Sequence, residues 1–86
     1  MSDKRTFYLY SNAECPFCKK AKNLLDKEGH AYIAMELGWD HPTLNRVKRV
    51  MDWSTIPIVF EIQGRDKKFV GGYTDLVGYL QEQNNE

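Results

Sequence analysis

The spacing of hydrophobic positions changes several times along the chain, and each change marks an element. Thr6-Phe7-Tyr8-Leu9-Tyr10 is a β-branched and aromatic run closed by the polar pair Ser11-Asn12, which reads as a buried strand. Phe17, Cys18, Ala21, Leu24 and Leu25 then recur at helical steps, with Lys19, Lys20, Lys22, Asn23 and Asp26 opposite them. That spacing predicts an amphipathic helix, opened by Pro16, whose missing N–H costs nothing in a first turn, and stopped at Gly29. Ala31 to Leu37 reads as a second strand. Strand, helix and strand in so short a span make a βαβ unit with its two strands parallel.

Gly38-Trp39-Asp40-His41-Pro42 is a turn, with Asp40 or His41 as the cap of a second helix and Pro42 in its first turn. Leu44, Val47, Val50 and Met51 form the apolar side of that helix, and Arg46, Lys48 and Arg49 the rest. Ile58 to Ile62 is a strand, Gln63-Gly64-Arg65-Asp66 a turn, and Lys68-Phe69-Val70 a short return strand, a β-hairpin. Gly71-Gly72 breaks it. Tyr73, Leu76, Val77 and Leu80 line a last helix with Thr74 as cap, and Gln81 to Glu86 reads as a polar, fraying tail. The order β-α-β-α-β-β-α is an α/β architecture: one mixed four-stranded sheet with helices on both faces, expected as a single domain over residues 1–86.

Composition narrows the function. Apolar residues make up 42% and charged residues 28%, ordinary for a globular chain. Twelve Lys+Arg balance twelve Asp+Glu, so the strong positive field that drives nucleic-acid binding is missing. No apolar run reaches the length of a membrane span, and Met1-Ser2-Asp3-Lys4-Arg5 leads into no signal-peptide core. The expectation is a soluble, cytoplasmic, monomeric protein with neither nucleic acid nor membrane as partner.

The two cysteines, Cys15 and Cys18, are separated only by Pro16 and Phe17. A bridge closing so small a loop constrains little of the unfolded chain, which makes a purely structural disulfide a poor explanation. A metal site would need His30 and His41, but their spacing, C-x2-C-x11-H-x10-H, does not bring them onto one ion. A redox pair remains, as expected of CxxC in a βαβ setting. Cys15 falls at or next to the N-cap of the first helix, where free amides and the positive end of the dipole favour a thiolate. Cys18 lies on the apolar stripe and should be the more buried, less reactive partner.

Cys15-Pro16-Phe17-Cys18 closely resembles the Cys-Pro-Tyr-Cys motif of dithiol glutaredoxins. Thr55-Ile56-Pro57 is similar to the Thr-Val-Pro that precedes the family's third strand, and Gly71-Gly72-Tyr73-Thr74-Asp75 matches the approach to its last helix. The resemblance spans nearly the whole chain, from Phe7 to about Leu80. It implies the thioredoxin fold, with three helices flanking the sheet, and thiol–disulfide exchange with glutathione as reductant and without bound metal or flavin. It implies that Cys15 attacks a disulfide sulfur and that Cys18 or a second glutathione resolves the intermediate. Ile56, before a proline that is cis in the family, would offer its backbone to the substrate, with Pro57 facing the cysteines. Phe17, Thr55 and Gly72 would border the bound glutathione, and Thr74 and Asp75 would hold its γ-glutamyl end.

One position departs from the family. Many members carry a lysine three residues before the first cysteine, where this chain has Asn12; Arg46 or Arg49 is the expected substitute cation. Trp39 and Trp53 read as packing residues, Trp53 being close enough to Thr55 to reach the groove. Disulfide-containing and glutathionylated proteins are the expected partners. The alternatives are a thioredoxin-like donor to one protein, such as ribonucleotide reductase, and a module ligating an iron–sulfur cluster through glutathione.

Overall fold

The structure is a computed structural model and describes residues 5–84. Its elements run β1 (Thr6–Ser11), α1 (Pro16–Lys27), β2 (Ala31–Glu36), α2 (Pro42–Val50), β3 (Ile58–Gln63), β4 (Asp66–Gly71) and α3 (Tyr73–Asn84). The strands form one four-stranded sheet in the order β2-β1-β3-β4. β1 is parallel to β2 and antiparallel to β3, and β3 is antiparallel to β4. This is the thioredoxin fold.

Alternation along β1 divides the core into two layers. Phe7 and Leu9 pack with Ala21 and Leu25 of α1, Val59 of β3, and Leu76 and Leu80 of α3. On the opposite face Tyr8 and Tyr10 join Leu44, Val47, Ile58, Phe60 and Phe69 under α2. β1 is therefore not buried on both faces as its composition implied: its tyrosines are only half-buried, because α2 is short and covers its face incompletely.

Local details settle or correct the boundaries. His41, not Asp40, caps α2: its Nδ1 accepts from the Thr43 N–H at 3.1 Å, with Pro42 in the first turn. The hairpin is tighter than expected. Gln63 pairs with Asp66, so only Gly64 and Arg65 turn the chain, and Gly64 takes a φ of 64° that suits glycine. Thr74 does not cap α3. The helix already begins at Tyr73, and Gly72 occupies the cap, its carbonyl accepting from the Leu76 N–H at 2.9 Å. The expected tail is helical through Asn84, since α3 continues on its own backbone hydrogen bonds once Leu80 is anchored; residues 85 and 86 lie outside the described residues. No helix among the described residues is long and apolar enough to cross a membrane.

Candidate active site

The β1–α1 loop presents the first cysteine. Asn12 is 7% exposed and braces this loop from inside. Its Oδ1 accepts from the Glu14 N–H at 2.8 Å, its Nδ2 donates to the Leu37 carbonyl at 2.8 Å, and its own carbonyl accepts from the Cys15 N–H at 3.0 Å. Asn12 thus builds the turn, and its side-chain amide is committed to backbone partners.

Cys15 is the N-cap of α1, and its Sγ accepts from the Cys18 N–H at 3.2 Å. A helix opens with amides that have no internal acceptor, and here a sulfur takes one of them. The same Sγ lies 3.8 Å from the Ile56 carbonyl oxygen, which brings the second of the three motifs against the first. The Ile56–Pro57 peptide bond is cis, and Pro57 is buried.

Both sulfurs are free thiols and both are largely covered, Cys15 at 4% exposure and Cys18 at none. The order of burial is the expected one, but the margin is narrow. Burial pushes the Cys18 thiol up to about 12, helped by its hydrogen bond with Cys15. The Asn12 backbone and the Lys22 charge pull the other way with less effect. Cys18 therefore keeps its proton at neutral pH and holds it beside the Cys15 sulfur.

Lys22 is itself held: its ammonium pairs with Glu36 at the end of β2, and Glu36 also accepts from the Ser11 hydroxyl at 2.8 Å. The lysine lowers the Glu36 carboxyl below its ordinary value; burial opposes it less strongly, and the Ser11 hydroxyl adds a smaller lowering.

Beside the cysteines runs a hollow of about 210 Å³ lined by Phe17, Trp53, Thr55, Ile56, Gly72, Tyr73, Thr74 and Asp75. Six of these were expected from sequence, drawn from three separate stretches of chain. Pro57 lies behind them, its carbonyl 3.7 Å from where a side chain on Gly72 would begin. At the far end the Asp75 carboxylate accepts from the Gly72 N–H at 3.0 Å, reaching back over the first turn of α3.

Arg46 is not part of this lining. It borders a separate hollow with Tyr10, Val47, Phe60 and Phe69 on the α2 side of the sheet. Arg49 shares a different hollow with Trp53 and is the arginine adjacent to the groove wall. Two lining residues were read from sequence mainly as packing. Trp53 packs edge-on against Phe69 at 5.2 Å while also facing the groove. Tyr73 fits the helical stripe of α3, but as its first residue it projects beyond the core toward Phe17, the ring centroids 6.1 Å apart. Its place directly after Gly71-Gly72 was the available signal.

Comparison with known proteins agrees with this geometry. The family model Glutaredoxin matches residues 7–66. The chain is 34% identical to Glutaredoxin 1 of Rickettsia prowazekii over 90% of its length and 79% of the relative's. It is 39% identical to the hybrid peroxiredoxin hyPrx5 of Haemophilus influenzae over 84% of its own length, but spans only 28% of that protein. Among solved structures, the holo form of glutaredoxin C1 from Populus tremula x tremuloides superposes with a TM-score of 0.74 at 26% identity, over 88% of this chain and 74% of the other. Glutaredoxin 1 from Francisella tularensis, at 18% identity and a TM-score of 0.66 over 94% of this chain and 98% of the other, shares the fold. The chain belongs to the glutaredoxin family of thiol–disulfide oxidoreductases.

Proposed function

We propose that this protein uses glutathione to reduce glutathione mixed disulfides and protein disulfides through Cys15 and Cys18. The observation that carries the reading is the Cys15 sulfur at the α1 N-cap, against the Ile56 carbonyl, with the groove ending at Asp75 alongside.

In the proposed cycle the Cys15 thiolate attacks the glutathionyl sulfur of a mixed disulfide. The Cys15–glutathione bond forms as the substrate sulfur leaves as a thiolate. The thiolate of a second glutathione then attacks the glutathionyl sulfur on Cys15, releasing glutathione disulfide and restoring Cys15. With a protein disulfide, the Cys15 thiolate bonds to one substrate sulfur as the other leaves as a thiolate. That thiolate takes the Cys18 proton, Cys18 bonds to the Cys15 sulfur, and the second substrate sulfur leaves as a thiolate. Two glutathiones then reopen the Cys15–Cys18 bridge, leaving as glutathione disulfide.

The high proton affinity of Cys18 fits this order, because the resolving thiol stays neutral during the first attack. Burial is the main hold on that proton, and once Cys15 is in a disulfide its hydrogen bond and charge no longer add to it, so Cys18 gives the proton up more readily. In the groove, Thr74 and Asp75 at the start of α3 would receive the γ-glutamyl end of glutathione, the Asp75 carboxylate pairing with its ammonium. Arg49 is better placed than Arg46 to offer a cation to the other end, because it borders the Trp53 wall.

The test is turnover of a small glutathione mixed disulfide. Cys15→Ser should lower it about a thousandfold or more, as removal of a nucleophile does. Cys18→Ser should retain a substantial share on that substrate and lose reduction of protein disulfides. Equal loss in both variants would refute the assigned roles. Full activity with thioredoxin reductase in place of glutathione would favour the donor alternative, for which a ribonucleotide reductase is a candidate recipient.

A further inference from the structure

Tyr73 has two sides. One faces the groove; the other lines a second hollow of about 330 Å³, completed by Lys20, Asn23, Leu24 and Lys27 of α1. The ridge between them is aromatic. The Phe17 ring stands 6.1 Å from that of Tyr73, and the Lys20 ammonium lies 5.1 Å from the Phe17 ring centroid. Phe17 is 52% exposed although it sits between the two cysteines.

The chemistry of the second hollow is one-sided. Among the described residues its lining offers two ammonium groups and a side-chain amide around Leu24 and Tyr73, and no carboxylate. Asp26 and Glu28, the acids nearest in sequence, are not among its lining residues. Lys20 and Lys27 stand about two helical turns apart, roughly 10 Å. That is the span of about three extended residues, so one short strand of polypeptide can meet both.

We infer that this hollow is a docking subsite for protein substrates, fitted to an acidic segment flanking the cysteine to be reduced. The inference rests on the proposed function, which places the substrate disulfide at Cys15. The glutathionyl part occupies the groove on one side of Tyr73. Polypeptide continuing from the target cysteine crosses the Phe17–Tyr73 ridge, resting an apolar side chain on the rings, and sets its carboxylates on Lys20 and Lys27. A small mixed disulfide has nothing to place there and does not sense the hollow. Charges so exposed act mainly through encounter rate and are screened by salt.

The experiment uses the intact protein and glutathionylated peptides of one length carrying aspartate, serine or lysine on either side of the cysteine. A mixed disulfide of glutathione with a small thiol serves as reference. Wild type should reduce the aspartate peptide with a kcat/KM about tenfold above the serine peptide, the gap closing as salt is raised. Lys27→Glu should remove that preference and improve the lysine peptide, leaving the small reference unchanged; loss of a merely structural lysine would not depend on peptide charge. Equal rates on all peptides in wild type, or an aspartate preference that survives Lys27→Glu, would overturn the inference. Failure of wild type on the small reference as well would instead overturn the glutathione reading. Titration of the aspartate peptide against wild type and Lys27→Glu still scores the subsite in that case, equal affinity counting against it.

Discussion

At the scale of single residues, Asn12 shows how an apparent gap can be a structural part. Against the family's lysine it reads as a missing cation; in the fold it is a buried brace for the loop that carries Cys15. Asn12→Ala would leave the Leu37 carbonyl and the Glu14 amide without their partner. The expected cost is about 1–3 kcal/mol in denaturant unfolding, with Cys15 chemistry slowed because its loop loosens. Asn12→Asp should keep the Glu14 contact and lose the Leu37 one, recovering part of the stability. None of this was legible in sequence, because Leu37 lies 25 residues away and only the pairing of β1 with β2 brings it near. The cysteine pair was legible because its meaning is local: with two residues between them on a helix start, the sulfurs meet whatever the rest of the chain does.

At the scale of elements, the start of α3 depends on one backbone conformation. Gly71 has a φ of 124°, and a Cβ there would stand 2.7 Å from the Asp75 Oδ2. A side chain at this position is strained and also displaces the carboxylate that caps the helix. Gly71→Ala should therefore destabilise by about 1–3 kcal/mol. It should also raise KM for glutathione mixed disulfides several-fold with a smaller change in kcat, read by steady-state kinetics. Gly72→Ala is the control for stability alone, since a Cβ there makes only ordinary contacts of 3.7 and 3.8 Å but would stand in the groove lining. The glycine pair announced a break in the sequence, but not which glycine was sterically required. Propensity favours Thr74 as the cap; the chain instead starts the helix one residue earlier and uses Asp75 in reverse. Arg46 was a matter of helix register: it lies on α2 as expected, but faces the aromatic side of the sheet.

At the scale of the molecule, the end of the helical layer away from the cysteines is tied by a buried carboxylate. Glu61 of β3, 6% exposed, accepts from the Tyr79 hydroxyl of α3 and from the Gln63 amide at 3.1 Å, with Arg5 Nε at 3.5 Å. Burial, then the Glu61 carboxylate, pushes the Tyr79 phenol up to about 12. Folding thus favours the neutral phenol. Its contribution is whole below the unfolded tyrosine value of about 10 and is lost as pH rises towards 12. Stability followed by chemical unfolding should fall across that window in wild type, with a shallower fall in Tyr79→Phe; equal slopes would show that Tyr79 titrates normally. Periodicity made the two-layer core readable, yet this network pairs β3 with α3 across a distance in sequence that no spacing rule encodes. The layered plan has an effect on how such a protein can diverge. The sulfur chemistry opens from α1, whereas the acidic end of the groove opens from α3, and only their mutual approach is fixed by the sheet. Substitutions on the later helix can therefore retune which thiols are admitted while electron transfer at the earlier one persists unaltered, so that recognition drifts and reactivity is inherited.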